Sequence, residues 1–449
     1  MKKTSLKGTG REISENEPSC RVWVNGEEIG TLYETAVCHR RAWIRDPELG
    51  TAAVGIANAR RTARIEILPL AGPLRSAVVR PLALGIEARI EGDRIVFDAP
   101  SPSSLTVEFD GRYDRVLHLF LNEPDESKPD PAAPGVHYFG PGVHRDVIVE
   151  IGDGETVYLD DGCLLYGQLR SDGKRDFTVA GHGALCGSIY DRWRDTVVPV
   201  DFSRCKSFSV RDITILDPAA WTFNLFDCED GKVDRVRIVS ARSNSDGLTF
   251  QTCRRIEARN AFVRSWDDCL VVKGYDGDVD DIRFENCVLW TDLAQSCEVG
   301  YETRADSMRH IRFQKITVLH NFHKPVMSVH NSDRARVGDV LFEDVTVEDA
   351  EMGEGDGTPW LLELTTTESQ WSRTAERGSI DGVVVRRVKV LGGKRPGVRI
   401  VSAGKDAKID HVSISGLTIL GERIASFDRL HTEFSPWNGA DIGFEEEKK

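Results

Sequence analysis

The amino-acid sequence predicts an all-β protein in which a right-handed parallel β-helix follows an antiparallel β-sandwich. Segments of one common design recur every roughly 20 to 30 residues through the later part of the chain, which is the signature of a stacked repeat fold. The earlier part lacks that repeat and consists of short alternating segments separated by turns. A chain of 449 residues also exceeds the size at which one core usually suffices, so two domains are expected.

The sandwich is predicted for residues 1–130. Apolar and polar residues alternate there with period two, as they do in strands that bury one face, and turns follow every 8 to 12 residues or so. The segments that carry this pattern are RVWVNGEEIG from Arg21, TARIEILPL from Thr62, EARIEGDRIVFDAP from Glu87 and SLTVEFDGRYDRVLHLFL from Ser104. The acidic, proline-rich stretch NEPDESKPDPAAPG, which begins at Asn122, is typical of a linker.

The β-helix is predicted for residues 131–425 and a solvated tail for residues 426–449. Each repeat has a polar or acidic turn, then an alternating apolar strand, then a second strand rich in β-branched residues. Repeats of this kind cannot bury an apolar face alone, so they stack. The repeats begin DRVRIVSARSNSDGLTF at Asp234, RRIEARNAFVRSWDDCLVV at Arg254, DDIRFENCVLW at Asp280, RHIRFQKITVLH at Arg309, GDVLFEDVTVED at Gly338, DGVVVRRVKVL at Asp381 and DHVSISGLTIL at Asp410.

Composition narrows the function classes. The net charge of −14 disfavours nucleic acids and anionic membranes as partners, because both favour a basic surface. No apolar run has the length of a signal peptide or a membrane span, so we expect a cytoplasmic protein, or a secreted one if a signal has been removed. The ten cysteines show no metal-ligand spacing and are interpreted as reduced, buried thiols, and no cofactor is expected.

Three aspartates are the main candidates for chemistry. Asp246 lies in NSDG, and Asp267 and Asp268 lie 21 residues later in SWDDCLVVKG, a distance close to one coil of the predicted β-helix. Adjacent coils stack about 4.8 Å apart, so the three carboxylates should meet on one face, provided that the chain bends at the aspartate pair. Such a cluster serves either hard-cation binding or acid and base catalysis at a glycosidic bond.

These motifs resemble a known family. NSDG followed by WDDCLVVKG is similar to the pattern of the polygalacturonases, glycoside hydrolase family 28, and DPAAWTFNLFDCED from Asp217 resembles the preceding coil of that family. A sandwich before a β-helix also resembles family 49, the dextranases and isopullulanase. The resemblance implies a pectin-lyase-like solenoid and an inverting hydrolase. In such an enzyme Asp267 would protonate the leaving oxygen, while Asp246 and Asp268 would activate a water.

Departures from the family pattern bear on the substrate. AQSCEVGYET stands where polygalacturonases have Gly-His-Gly, which puts Gln295, Glu298 and Glu302 near the site. KPVMSVHN replaces the Arg-Ile-Lys that grips a uronate carboxylate, leaving Ser328 and His330 at those positions. An acidic cleft without that cation clamp repels pectin. The sequence therefore favours an oligo- or polysaccharide of the neutral α-glycan type, with galacturonide hydrolysis as the nearest alternative.

Other residues are candidates for substrate binding, each with a structural alternative. Trp266 is a candidate for stacking on a sugar ring, as are Trp221, Trp290 and Trp193, although tryptophans within repeats are commonly packed. Lys273 could support an aspartate or extend into solvent. Tyr301, Glu302, His330 and Asn331 could form a sugar subsite, and Asn331 could equally belong to a structural turn.

Two other function classes stay open from the sequence. The first is a non-catalytic carbohydrate-binding β-helix whose acidic residues bind Ca²⁺ or solvate a turn. The second is a polysaccharide lyase or epimerase, which would need a basic residue at the α-carbon of a uronate. The pairing of NSDG with DDC at the spacing of one coil favours the hydrolase.

Overall fold

The computed structural model confirms the predicted fold class. It describes residues 12–38, 49–70, 72–113, 115–191, 195, 197–352 and 357–446. Within these ranges helical structure is confined to short 3₁₀ turns, at Ile13–Glu15, Leu82–Leu84, Lys405–Ala407 and Phe427–Arg429. None of these turns has the length and apolar character that a membrane crossing requires.

The amino-terminal domain is a sandwich of two five-stranded sheets. Its strands are β1 (Cys20–Val24), β2 (Glu27–Glu28), β3 (Thr31–Cys38), β4 (Leu49–Asn58), β5 (Thr62–Pro69), β6 (Ala77–Arg80), β7 (Arg89–Glu91), β8 (Arg94–Pro100), β9 (Ser103–Phe109) and β10 (Val116–Asn122). One sheet has the order β2-β1-β5-β8-β7 and the other β3-β4-β10-β9-β6. The pairs are antiparallel except β4 and β10, which are parallel. Apolar side chains of both sheets, such as Ile65 and Leu117, form the core between them.

The second domain is a parallel β-helix with one antiparallel pair between Leu417–Ile419 and Glu422–Ile424, and its sheet has thirty strands. They are β11 (Val136–Phe139), β12 (Gly142–Glu150), β13 (Thr156–Leu159), β14 (Cys163–Asp172), β15 (Thr178–Ala180), β16 (Ala184–Cys186), β17 (Val200–Ser203), β18 (Ser209–Arg211), β19 (Thr214–Leu216), β20 (Phe223–Phe226), β21 (Glu229–Asp234), β22 (Arg237–Val239), β23 (Leu248–Gln251), β24 (Arg254–Arg259), β25 (Phe262–Ser265), β26 (Leu270–Gly274), β27 (Val279–Glu285), β28 (Val288–Thr291), β29 (Cys297–Thr303), β30 (Ser307–Asn321), β31 (Met327–Asn331), β32 (Arg336–Val347), β33 (Trp360–Thr365), β34 (Ser379–Val390), β35 (Gly397–Val401), β36 (Ile409–Ser415), β37 (Leu417–Ile419), β38 (Glu422–Ile424), β39 (Thr432–Phe434) and β40 (Ile442–Phe444). Equivalent strands of successive coils pair in parallel, as Leu248 does with Leu270.

One row of stacked strands carries the candidate site and is called the cleft row below. It runs through β20, β23, β26, β29, β31, β33, β35 and β39, each paired with the next. Inside the solenoid, equivalent residues of successive coils stack on one another. The rings of Phe250, Phe284, Phe313 and Phe342 form such a stack, with 5.1 Å between neighbouring centroids. All ten cysteines are buried and free of disulfides, as expected for reduced thiols.

The sandwich packs directly on the solenoid. Val54 and Phe120 of the β3-β4-β10-β9-β6 sheet share one buried apolar cluster with Leu216, Phe262 and Trp290 of the solenoid. The rings of Phe120 and Phe262 lie 5.2 Å apart in an edge-to-face arrangement. The contact between the domains is therefore apolar and buried.

The carboxyl terminus differs from the expected solvated tail over residues 426–449. Strand β39 pairs with β35, and β40 pairs with β36, so the solenoid continues to Phe444. These strands have three residues each and their side chains are largely exposed or half-buried. Ile442 and Phe444 pack against the end of the solenoid core, but strands this short have no clear period-two pattern in the sequence.

Candidate active site

The stacking of the cleft row brings Asp246 and Asp268 together. Asp246 precedes β23 and Asp268 precedes β26, and the pairing of Leu248 with Leu270 puts the two aspartates at equivalent positions of adjacent coils. The N–H of Gly247 donates to the carbonyl of Asp268 at 2.7 Å. A Cβ on Gly247 would lie 2.4 Å from the carbonyl oxygen of Cys269, so glycine is needed for this close approach of the coils.

The predicted bend at the aspartate pair is present. Strand β25 ends at Ser265 and β26 begins at Leu270, and the residues between them form an irregular turn, called the catalytic turn below. Asp246, Asp267 and Asp268 each present a carboxylate oxygen, and these oxygens all lie within 4.8 Å of one another. Asp246 and Asp268 are 3 % and 7 % exposed, whereas Asp267 is half-buried. Asp267 is therefore the most accessible of the three.

Burial and neighbouring charges disfavour ionisation of the two deeper aspartates. Burial raises the pKa of Asp268 well above its usual range, and Asp267, Asp246 and Glu298 raise it further. Burial also raises the pKa of Asp246, against the opposing effect of Lys273. At least one proton is thus retained in the cluster at a pH where an isolated aspartate is ionised.

Lys273 supplies the compensating positive charge. Its Nζ lies 3.5 Å from Asp246 Oδ2 and 3.3 Å from Glu302 Oε2. Burial alone would lower the pKa of Lys273, but Asp246 and Glu302 together raise it above its ordinary value. Lys273 is consequently a buried ammonium that supports an aspartate, rather than a solvated side chain.

A network of polar and charged side chains connects Asp268 to residues of the next coils. Gln295 donates its backbone N–H to Asp268 Oδ1 at 3.1 Å and its side-chain amide to Tyr301 Oη at 3.3 Å. The ring of Tyr301 stacks on His330 at 4.3 Å. His330 Nδ1 lies 2.9 Å from Glu298 Oε1, and its Nε2 lies 3.3 Å from Glu363 Oε2. Burial by itself would lower the pKa of His330, but Glu298 and Glu363 raise it to about 10, so His330 is an imidazolium.

The structure separates the predicted substrate-binding residues into two groups. Lys273, Gln295, Tyr301 and Glu302 line a cleft of about 480 Å³ together with the three aspartates, a size typical of small-molecule sites. Glu298 and His330 are buried and do not line the cleft. Asn331 donates its side-chain amide to the carbonyls of Ala335 and Ser379, which is the structural alternative considered for it.

The tryptophans predicted to stack on sugar rings also differ in their exposure. Trp266 is only 2 % exposed and packs with Cys38 and Leu293, so it does not face the cleft, which corrects the sugar-stacking prediction. Trp290 is fully buried, and Trp193 lies outside the described residues. Trp221 lines the cleft and is 46 % exposed. It stands one coil from Asp246, since Phe223 pairs with Leu248, and its position is compatible with the predicted stacking on a sugar ring.

The cleft is also lined by residues that the sequence did not indicate. Trp371 lines the cleft and is 39 % exposed. Ser369 and Gln370 lie on the same loop, which follows β33 and reaches back to the aspartates, and Lys324 precedes β31. The loop residues occupy no repeat position, so no periodic signal could have indicated them. Lys324 is half-buried, pairs with no carboxylate of the described residues, and adds a positive charge to the cleft lining.

The fold and this acidic cleft together make the chain similar to the polygalacturonase-like glycoside hydrolases. Residues 177–292, which contain all three aspartates, match the family model described as Glycosyl hydrolases family 28. A polygalacturonase of Juniperus ashei is 27 % identical over 84 residues, which is 18 % of this chain and 16 % of that protein. The matched segment is thus a small part of that relative's length.

One solved structure superposes over nearly the whole chain. Dex49A from Penicillium minioluteum superposes with a TM-score of 0.59 at 12 % identity, covering 98 % of this chain and 96 % of that chain. The shared fold therefore includes the amino-terminal sandwich as well as the β-helix. The family 28 exopolygalacturonase of Yersinia enterocolitica gives a TM-score of 0.47 at 10 % identity, with coverage of 91 % and 99 %.

Two substitutions of opposite sign test the electrostatics of the cluster. Lys273→Met removes the charge that lowers the pKa values of Asp246 and Asp268, so both values should rise. Glu298→Gln removes a charge that raises the pKa of Asp268, so that value should fall. Carbon-13 NMR of the aspartate carboxyl carbons across pH measures both shifts without needing a substrate. Shifts of the same sign in the two variants, or none, would contradict the assigned charge interactions.

Proposed function

We propose that the protein is a glycoside hydrolase that cleaves an oligo- or polysaccharide at the three-aspartate cluster. The observation that carries the proposal is the presence of three carboxyl groups, with oxygens within 4.8 Å, at the floor of an open cleft. Trp221 and Trp371 line that cleft with exposed rings, which suit the apolar face of a sugar. The match of residues 177–292 to the family 28 model adds support.

Asp267 is proposed as the general acid. It is the most accessible carboxyl of the cluster, so it can reach the glycosidic oxygen of a bound sugar. Proton transfer from Asp267 to that oxygen lets the carbon–oxygen bond break, and the leaving sugar departs with a hydroxyl group. A water attacks the anomeric carbon and gives its proton to whichever of Asp246 and Asp268 is ionised, which completes the hydrolysis. Lys273 favours the ionised form of Asp246.

Burial supports inversion of the anomeric configuration. Asp246 and Asp268 lie deeper than Asp267, so a small water reaches them more readily than a sugar carbon does. A retaining enzyme would need one of them to contact that carbon directly. The distance between the carboxyl groups favours retention instead, because the carboxyl pairs of inverting enzymes are usually separated by about 6.5–9.5 Å. We propose inversion because both carboxyl groups are buried beneath Asp267, where a water can reach them but a sugar carbon cannot.

The rival function, cation binding, is less well supported by the same residues. Ca²⁺ takes six to eight oxygen ligands, whereas the cluster offers three carboxyl groups. Lys273 already places a positive charge 3.5 Å from Asp246 and would repel a bound cation. Raised pKa values at Asp246 and Asp268 likewise oppose a site that needs ionised ligands.

A neutral α-glycan is the proposed substrate, and a galacturonide is the second candidate. Ser328 and His330 are engaged with Glu298 beneath the cleft, so neither presents a cation to a substrate carboxylate. The acids that line the cleft outnumber its two lysines, which disfavours a polyanion. Lys324 is the observation that favours the galacturonide, because it has no carboxylate partner among the described residues.

Replacing Asp267 by asparagine tests the acid assignment. The change keeps the size of the side chain and removes the proton, so turnover of an unactivated glycoside should fall by about 10²–10⁴. Glycosides with a good leaving group need little protonation and should lose less. Asp276→Asn, at an exposed aspartate paired with Arg304 outside the cleft, is the matched control and should keep parental turnover. A loss within a few-fold for Asp267→Asn on natural oligosaccharides would remove Asp267 from the mechanism.

A screen of reducing-sugar release across α-glucan, pectic, galactan and arabinan oligosaccharides tests the substrate class. We expect cleavage of a neutral α-glucan. The Lys324→Met variant should then keep kcat/KM within a few-fold of the parent, because a neutral substrate has no carboxylate that could pair with Lys324. Efficient cleavage of polygalacturonate that falls at least tenfold in Lys324→Met would establish the galacturonide alternative instead. An unsaturated uronide among the products would indicate a lyase, and no release from any glycan would refute the hydrolase.

A further inference from the structure

Arg264 lies three residues before Asp267 and is completely buried. Its Nε donates to Asp292 Oδ2 at 3.1 Å, and its guanidinium carbon lies 4.1 Å from the centroid of the Trp290 ring. Trp290 Nε1 donates to the other oxygen of Asp292 at 2.9 Å. A buried charge of this kind is stable only when its remaining donors are also satisfied.

The sandwich satisfies those remaining donors. Arg264 Nη1 lies 3.3 Å from His118 Nε2, on strand β10. Its Nη2 donates to the backbone carbonyls of Tyr113 at 3.4 Å and Cys38 at 3.5 Å. All three acceptors belong to the amino-terminal domain, so the guanidinium has its complete set of partners only while the sandwich is docked.

Arg264 lies just before the catalytic turn, which contains Asp267 and Asp268. Asp292 begins the segment that leads to Gln295. Asp292 donates its N–H to the carbonyl of Ser265 at 2.9 Å, and Ala294 donates to the carbonyl of Trp266 at 3.2 Å. The following residue, Gln295, donates to Asp268 Oδ1. The ion pair therefore joins the start of the catalytic turn to the segment that hydrogen-bonds Asp268.

His118 has one protonation state that fits these contacts. A guanidinium can only donate, so His118 Nε2 must accept, and Nδ1 carries the hydrogen. Nδ1 lies 2.9 Å from Thr106 Oγ1 on the neighbouring strand β9, which can accept that hydrogen. Burial lowers the pKa of His118 well below its usual range, and Arg264 lowers it further, so the ring is neutral.

We propose that His118 is a positioning residue of the active site, acting through Arg264 on the catalytic turn. The sandwich is then an integral support of the aspartate cluster rather than a separable glycan-binding module. The packing of Trp266 against Cys38 of β3 adds a second contact between the sandwich and the same turn. The expected loss of turnover rests on the proposed function. The expected displacement of the Asp267 and Asp268 carboxyl groups does not.

His118→Leu tests the proposal, with His118→Gln as the conservative variant. Leucine fills similar space but cannot accept from Arg264, whereas the glutamine oxygen can. We expect kcat on the cleaved glycan to fall by at least tenfold in His118→Leu with KM within about twofold, since displaced catalytic groups lose rate. The His118→Gln variant should keep most of the parental kcat. Val107→Ala, a truncation in the sandwich's own core, is the control for general loss of stability and should keep the parental kcat.

Carbon-13 NMR of the carboxyl carbons of Asp267 and Asp268 gives a readout that needs no activity. The signals should shift in His118→Leu and stay in place in Val107→Ala. If His118→Leu does not fold, Thr106→Val, which removes the acceptor behind His118, should move the same signals. Unmoved signals and an unchanged kcat, despite a lower Tm, would overturn the inference and leave His118 as core packing. A parent that cleaves no glycan while the signals still shift would refute the proposed function alone.

Discussion

The hydrogen-bonded register between coils is the constraint on which the site depends. Leu248 pairs with Leu270 and Leu270 with Cys297, so the residues just before these strands stack at the spacing of neighbouring strands, about 4.8 Å. Asp246, Asp268 and Gln295 occupy those positions. A shift of one residue in this register would turn the side chains to the opposite face and disperse the cluster. Gly247 makes the register possible, because the carbonyl of Cys269 leaves no room for a Cβ.

The same stacking also distributes charge along the cleft row. Glu298, Ser328, Glu363, Arg399 and Glu433 follow one another on successive strands. His330 lies between the two inner glutamates, and Arg399 bonds Glu363 at 2.7 Å. Buried charges are costly unless they are paired, and here each carboxylate has a cationic or hydroxyl partner. Glu298 keeps enough influence to raise the pKa of Asp268, which links this ladder to the aspartates.

The sequence predicted what depends on periodicity. The repeats predicted the β-helix. The spacing between Asp246 and the aspartate pair predicted the cluster of three carboxyl groups, because that spacing is close to the length of one coil. Trp371 could not be predicted, since a loop of no fixed repeat position brings it to the cleft. The roles of Trp266 and Arg264 depend on a domain that is distant in sequence but packed on the catalytic turn. The strands β39 and β40 were not predicted because three residues are too few to show a period-two pattern.

Proton NMR of the first minutes of glycan digestion tests the central claim most directly. Activation of water by Asp246 and Asp268, with protonation of the leaving oxygen by Asp267, predicts that the new reducing end appears first with inverted configuration and then mutarotates. The inverted signal should be absent with Asp267→Asn. A first product of retained configuration would contradict the assignment of the buried aspartates to water, and vinylic protons of an unsaturated sugar would contradict hydrolysis itself.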